Sequence, residues 1–111
     1  MAIFSTHLLN SIDGTHASDV EIIIHKVNNK NEAVFLEGKT DSSGRMLKEF
    51  ELSKEDCESD YEMIINSGKY FRNTSEIINS ISVKFKMKDS EKKYHIPLII
   101  SPNGYSIWWS K

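Results

Sequence analysis

Residues 93–109 read KYHIPLIISPNGYSIWW, and this stretch indicates how the chain folds. Successive side chains of a strand point to opposite faces. The apolar residues at even positions from 94 to 100 therefore predict a core-facing side, with His95 on the other side. Ser101-Pro102-Asn103-Gly104 predicts a turn, because proline fixes φ and Asn-Gly tolerates a positive φ. A second strand that returns from this turn is expected to bring Trp108 onto the face that carries His95.

Short strand-like segments recur at regular spacing along the rest of the chain. They alternate apolar and polar residues or are rich in β-branched residues, and turn-forming residues bound them. The segments are residues 3–9, 20–27, 33–37, 46–52, 61–65 and 82–88. Together with residues 93–109 they predict an all-β chain, an antiparallel β-sandwich of seven or eight strands. No repeat or linker divides residues 1–111, so a single domain is expected.

Two segments do not fit a strand pattern. Residues 69–78 predict one short helix, with Tyr70, Phe71 and Ile77 packed inward. Residues 53–60 are charged and almost without apolar side chains, which predicts a solvated connection with no chemistry of its own.

The overall charge argues against two classes of partner. Among 111 residues there are 14 lysines and arginines and 16 aspartates and glutamates, for a net charge of −2. These charges are interspersed along the chain, so neither nucleic acid nor an anionic membrane is expected as a partner.

The lone cysteine and the first residues indicate a compartment. Cys57 is the only cysteine and cannot form an internal disulfide, which fits a reducing compartment. Residues 1–7 lack the basic and apolar segments of a signal peptide, and no apolar run approaches the roughly 18 residues of a membrane span. A soluble, unprocessed, cytoplasmic protein is expected.

Two of the four histidines lie at positions that favour a catalytic role. His7 and His95 are in the middle of strands, on the polar side, where an unneeded imidazole would be costly to desolvate. His16, in a polar turn region, is expected to be a surface residue. His25, at a strand end, is expected either to face solvent or to have its hydrogen bonds met by neighbouring protein groups. On the pattern alone, His7 and His95 could also be structural.

Other signatures of catalysis are weak in this sequence. Two histidines could bind zinc, but no third ligand stands at a familiar spacing, so no metal or other cofactor is expected. No glycine-rich phosphate loop or G-x-S-x-G nucleophile elbow occurs. Arg45 follows Ser43-Gly44 in a predicted loop, where a guanidinium is ordinarily solvated; in a site it would orient a planar carbonyl or carboxylate.

Several segments of the chain together resemble the transthyretin-like family. They are Phe4-Ser5-Thr6-His7-Leu8-Leu9-Asn10, Gly38-Lys39-Thr40-Asp41-Ser42-Ser43-Gly44-Arg45, Lys69-Tyr70-Phe71, Tyr94-His95-Ile96-Pro97-Leu98-Ile99-Ile100-Ser101-Pro102 and Gly104-Tyr105-Ser106. The resemblance runs in register through nearly the whole chain, and the run that begins at Tyr94 is its most specific part. The nearest branch is that of the 5-hydroxyisourate hydrolases.

This resemblance implies a fold, an assembly and a site. The fold is a two-sheet sandwich of eight strands, and the assembly is a homotetramer around a central channel that holds the active sites. In the hydrolases, two histidines and an arginine form the polar site, and the matching positions here are His7, Arg45 and His95. The hormone-carrier branch replaces all three, so their retention favours a hydrolase.

The residues at these positions suit hydrolysis without a covalent nucleophile. One neutral imidazole can take a proton from water as the water attacks a ring carbonyl. The other histidine and Arg45 can stabilise the oxyanion that develops. The sequence does not decide which histidine is the base; we assign His7 that role and give His95 the stabilising or relay role.

The C-terminal tail departs from the family pattern. The hydrolases end in Tyr-Arg-Gly-Ser, whereas this chain ends in Trp108-Trp109-Ser110-Lys111. By its parity with Ser106, Trp108 is expected to face the channel, and both residues are assigned to substrate binding. Trp109 is expected to point the other way, into the sandwich. Both indoles could also simply pack, as aromatic residues of terminal strands usually do.

Three functions remain open at this point. The first is a hydrolase that opens a cyclic amide, either 5-hydroxyisourate or a related strained lactam or cyclic carbamate, and the intact His7, Arg45 and His95 favour it. The second is a non-catalytic tetrameric binding protein whose channel takes an apolar or aromatic ligand, which the altered tail favours. The third is a tetramer that binds zinc through His7 and His95.

Overall fold

The computed structural model describes residues 1–27, 34–74 and 77–109. Over these residues the chain forms eight strands and two helices of one turn each. In chain order they are β1 (Ala2–Asn10), β2 (Glu21–Lys26), β3 (Val34–Lys39), β4 (Arg45–Phe50), α1 (Lys54–Cys57), β5 (Asp60–Ile65), α2 (Ser67–Tyr70), β6 (Ile81–Lys86), β7 (Lys93–Ser101) and β8 (Gly104–Ile107). The predicted all-β class is confirmed. Within these ranges, neither helix is long and apolar enough to cross a membrane.

The strands form two four-stranded sheets, which confirms the predicted sandwich. The strand order is β4-β1-β7-β8 in the first sheet and β3-β2-β5-β6 in the second. Neighbouring strands run antiparallel except β1 and β7, which are parallel. The predicted antiparallel sandwich is thus confirmed with one parallel pair, which was not anticipated because a pairing between segments 90 residues apart leaves no local signal in the sequence.

The core lies between the two sheets. Leu98 and Ile100 of β7 are fully buried, as the alternation over residues 94–100 predicts. Phe4 of β1 meets Phe85 of β6 across the gap, with ring centroids 5.4 Å apart. Full burial of such a side chain stabilises the fold by about 1.5–3 kcal/mol. One face of β1 and β7 is therefore buried in the core, and a functional site can form only on their other face.

The helix predicted over residues 69–78 is mostly wrong. The helix α2 covers only Ser67–Tyr70, and it begins earlier because the Asn66 side chain accepts a hydrogen bond from a backbone N–H of its first turn. Of the three residues predicted to pack inward, Phe71 is buried and Tyr70 packs against the core, as expected, whereas Ile77 is 92% exposed. Residues 75–76 of the predicted helix lie outside the described residues.

Residues 53–60, predicted as a plain connection, contain α1. The Ser53 hydroxyl accepts a hydrogen bond from the Asp56 N–H at 3.0 Å, and the Asp56 carboxylate accepts one from the Ser53 N–H at 2.9 Å. This reciprocal capping box starts the helix. An ion pair between Lys26 and Asp56 then ties α1 to β2. The spacing Ser-x-x-Asp is thus the signal that distinguishes this helix from a plain connection.

Two strand boundaries matter for the candidate site. The strand β3 continues to Lys39 and β4 begins at Arg45, so only residues 40–44 connect them. The strand β8 ends at Ile107, short of the predicted return strand. Ala33, the predicted start of β3, lies outside the described residues.

Candidate active site

One face of the first sheet carries four of the five predicted site residues. His7 on β1 pairs with Arg45 on β4, and Ser5, two residues earlier, pairs with His95 on β7. Ser106 on β8 lies on the same face by its register with β7. We call this surface the site face; it is defined by His7, Arg45, His95 and Ser106. The opposite face of the sheet packs into the core.

His95 is held against β1 by a hydrogen bond to Ser5. Its Nδ1 lies 2.7 Å from the Ser5 Oγ, and Ser5 is buried. Burial lowers the pKa of His95 below its ordinary value, and the positive charges of Lys93 and Arg45 lower it further, against an opposing contribution from the Ser5 backbone. His95 is therefore neutral near pH 7, and its Nε2 is left to accept or donate a proton.

His7 faces a second imidazole. Its Nε2 lies 3.0 Å from the Nδ1 of His16, and the two rings stack with centroids 5.2 Å apart and planes inclined by 26°. Burial is the largest cause of a lowered pKa at His7; Arg45, His16 and His95 lower it further, and the Ser43 backbone opposes them. His7 is thus also neutral near pH 7, the form that a general base requires.

The loop before β4 positions Arg45. The Asp41 carboxylate accepts hydrogen bonds from the backbone N–H groups of Arg45 and Ser43, at 3.0 and 2.9 Å, and these bonds lower the pKa of Asp41. Gly44 approaches β1, where its carbonyl accepts a hydrogen bond from the Leu8 N–H at 2.8 Å. The loop is therefore fixed both internally and against β1, with Arg45 directly opposite His7.

The guanidinium of Arg45 remains available for a ligand. The residue is exposed, and within the described ranges its side chain forms no salt bridge. A guanidinium presents a planar fork of N–H donors, which matches a carboxylate or a carbonyl that gains negative charge. Beside two neutral imidazoles, Arg45 is thus a fixed positive charge on the site face.

Trp108 and Trp109 line a cavity at the edge of the sandwich. The cavity has a volume of about 950 Å³ and lies between β6 and β7, with His95 also in its wall. The backbone N–H of Trp108 donates to the Pro97 carbonyl at 3.4 Å, and the residue is 45% exposed. The fifth predicted site residue thus shares a cavity with His95. Ser106, although on the site face, is not part of this wall.

The expectation that Trp109 points into the sandwich is wrong. Its side chain is 68% exposed. The prediction required a strand through residue 109, whereas β8 ends at Ile107. Beyond that point, alternation no longer fixes the direction of a side chain. Ser110 and Lys111 lie outside the described residues.

Comparison with known proteins identifies the family of this chain. The sequence profile of the HIUase/Transthyretin family matches residues 4–109. The chain belongs to the HIUase/Transthyretin family. A 5-hydroxyisourate hydrolase of Salmonella dublin is 30% identical over 108 residues, which cover 96% of this chain and 79% of that protein. The predicted family resemblance is therefore confirmed.

Solved structures of the family confirm the fold. The 5-hydroxyisourate hydrolase of Klebsiella pneumoniae superposes with a TM-score of 0.79 at 21% identity, over 100% of both chains. Sea bream transthyretin in complex with thyroxine superposes with a TM-score of 0.76 at 18% identity, over 95% of this chain and 92% of that chain. At these identities the likeness concerns the architecture alone.

The contact between His7 and His16 is the feature that the sequence prediction missed. His16 is exposed, as expected for a turn region, but an isolated bridge pairs it with Leu9 at the end of β1. The turn between them has Asp13-Gly14 near its tip, a dipeptide typical of tight hairpins. Taken as a hairpin signal, this dipeptide would have folded His16 back toward the strand that carries His7.

The described residues offer little for a metal ion. Over residues 1–27, 34–74 and 77–109, no three histidine, cysteine or carboxylate side chains cluster as a metal site would require. His7 and His16 bring two imidazoles together, one or two donors short of an ordinary zinc site. The arrangement of His7, Arg45 and His95 is instead suited to proton transfer beside a fixed positive charge.

Proposed function

We propose that this protein is a hydrolase that opens the ring of 5-hydroxyisourate by attack of water on a cyclic amide. The observation that carries the proposal is the site face, where two imidazoles with lowered pKa values, His7 and His95, share one surface with Arg45. Within the described residues the Arg45 guanidinium forms no salt bridge. The relatives of this chain named 5-hydroxyisourate hydrolase support the same reaction. The proposed reaction uses neither a covalent nucleophile nor a cofactor.

The proposed reaction assigns a role to each of the three residues. His7 accepts a proton from water as the water oxygen bonds to the ring carbonyl carbon. Arg45 and His95 donate hydrogen bonds to the oxyanion that forms. The carbon–nitrogen bond of the ring then breaks, and the proton passes from the imidazole to the departing nitrogen. Every group returns to its starting state after one turnover.

Trp108, in the C-terminal tail, affects which substrate ring fits the site. Trp108 shares a cavity with His95, and we assign Trp108 and Ser106 to substrate binding. An indole offers a planar apolar face and one N–H donor but no acceptor, unlike the phenol of the family pattern. A strained lactam or a cyclic carbamate related to 5-hydroxyisourate is therefore the alternative substrate class.

We infer that four copies assemble with their site faces toward a shared channel. Leu47, on the site face, is 54% exposed, and Trp108 is 45% exposed. Association would remove this apolar surface from water and enclose the polar site residues. A cytoplasmic location is proposed because Cys57 is the sole cysteine and carries no disulfide.

A non-catalytic binding protein is the second candidate function. The observation that favours it is the cavity at the sandwich edge, whose wall includes Trp108, Trp109, Phe85 and Tyr94. Aromatic walls suit a planar apolar ligand. This function does not require the lowered pKa values of His7 and His95, which is why we place it second.

The test of the proposed function is the decay of freshly made 5-hydroxyisourate. Urate oxidase generates the compound from urate, and its loss is followed with and without the purified protein. Acceleration over buffer is expected, because the site supplies a base and an oxyanion-stabilising charge. If the decay is the same as in buffer at every protein concentration, the hydrolase proposal fails for this substrate.

The pH dependence of kcat/KM should follow the lowered pKa values. A base must be neutral to act, and an unperturbed histidine loses its neutral form below about pH 6.5. Because the folded protein lowers the pKa of His7 and His95, activity should persist as the pH falls through 6.5 and decline only below it. In Arg45→Gln, which removes a positive charge beside both rings, the decline should begin at a higher pH. An acidic limb above pH 6.5 in the unmodified protein would contradict the assignment.

A further inference from the structure

Within the described residues, His16 is the one side chain that hydrogen-bonds to the His7 ring, on which a hydrogen bond with the Ser43 backbone also acts. The 3.0 Å between His7 Nε2 and His16 Nδ1 is a normal hydrogen-bond length. Two bare lone pairs or two N–H groups would repel each other at this distance. One proton must therefore lie between the two nitrogens, so the tautomer of one ring fixes that of the other.

The backbone around His16 keeps its ring in place. The turn that carries it is closed by hydrogen bonds from the Asn10 N–H to the Thr15 carbonyl at 2.8 Å and from the Ala17 N–H to the Leu8 carbonyl at 2.9 Å. These bonds bracket His16 and continue the pairing of β1. The backbone on both sides of His16 is thus held by hydrogen bonds, and the His16 ring is further restrained because it stacks on His7.

A second anchor lies behind the turn. The hydroxyl of Thr40, a buried residue, donates to the Ala17 carbonyl at 2.7 Å and accepts from the Val20 N–H at 2.9 Å. Thr40 also opens the loop that leads to Arg45. The segments that carry His16 and Arg45 are therefore joined to one another, and both approach His7.

We propose that His16 is a positioning residue for His7, holding its ring in one orientation and one tautomer through the shared proton. The proposal rests on the proposed role of His7 as the base. A base oriented by a third group is a recurrent arrangement, and here the imidazole of His16 takes the place that a carboxylate or carbonyl often fills. Within the described residues, no carboxylate forms a salt bridge with His7 that could take over this task.

Two substitutions separate the hydrogen bond from the stacking. His16→Asn places an amide atom where Nδ1 lies and so retains a hydrogen-bonding partner without the ring. His16→Phe retains an aromatic ring for stacking but has no hydrogen-bonding atom. The matched control is His25→Gln, which removes a histidine from the second sheet while an amide nitrogen replaces the Nε2 that contacts Glu62 at 2.8 Å.

The first readout does not depend on activity. Nitrogen-15 NMR of the imidazole rings in the ligand-free protein should show His7 in a single tautomer in the unmodified protein, in His16→Asn and in His25→Gln. In His16→Phe the His7 nitrogens should show averaged tautomers. Unchanged His7 shifts in His16→Phe would overturn the proposal, whether or not the protein opens 5-hydroxyisourate.

The second readout divides kcat from KM. His16→Phe should lower kcat for 5-hydroxyisourate by about 10- to 100-fold, the usual effect of losing an orienting partner, with KM nearly unchanged. His16→Asn should recover most of this loss. A rise in KM alone, or equal losses in both variants, would make His16 a substrate contact or a purely structural residue and would overturn the positioning role. If the unmodified protein opens no ring, the proposed function fails, and the NMR comparison still decides whether His16 orients His7.

Discussion

Replacing His95 by asparagine should lower kcat/KM for 5-hydroxyisourate by about 100- to 1,000-fold, the range ordinarily lost with one hydrogen-bond donor to the oxyanion. Asparagine places an amide atom where Nδ1 lies, so the hydrogen bond to Ser5 can be kept. What disappears is the Nε2, the nitrogen that the hydrogen bond to Ser5 does not use. The loss should therefore concern the chemical step, because the packing of β7 against β1 is preserved.

The control for this variant is His25, another histidine that lies on a strand and hydrogen-bonds through its ring. His25 lies on β2 of the other sheet and contacts Glu62, so His25→Gln removes an imidazole without touching the site face. Its kcat/KM should match that of the unmodified protein. Urea unfolding of both variants would show whether stability has changed. Activity retained in a folded His95→Asn variant would remove His95 from the mechanism.

The positions of His7 and His95 were predictable because they depend only on local rules. Each lies in a clear alternating strand, and the face opposite a core-facing row follows from period two. Their mutual placement was not predictable in that way, since it requires β1 and β7 to lie side by side and parallel. The family resemblance supplied that information, because it implied that His7, Arg45 and His95 form one polar site.

The features that were missed or wrong share a different cause. The contact of His16 with His7 depends on how a turn closes, and the direction of Trp109 depends on where β8 stops. Neither is encoded in hydrophobic periodicity. The helix α1 could have been predicted, because the residues of its capping box can be read from the sequence. The end of α2 could not, because no strong helix-stop residue follows it in the sequence.

Gly44→Ala should destabilise the fold by about 2–5 kcal/mol and should also reduce activity. Gly44 has φ +73°, a conformation that costs about 1–2 kcal/mol for a residue with a Cβ. A Cβ there would lie 2.5 Å from the Leu8 carbonyl oxygen, and relieving such an overlap ordinarily costs about 1–3 kcal/mol more. The loop would have to move away from β1, and Arg45, the next residue, would move with it.

Gly14→Ala separates the two contributions. Gly14 has nearly the same φ, +75°, but a Cβ there would meet nothing within 4 Å. Only the backbone strain of about 1–2 kcal/mol should then appear in the free energy of unfolding measured with urea. If the two variants lose equal stability, the close approach of Gly44 to β1 does not hold the loop. If Gly44→Ala loses stability while kcat/KM stays unchanged, Arg45 does not depend on this contact for its position. The expected result, a larger loss in both quantities for Gly44→Ala, would mean that one backbone contact serves the fold and the site together.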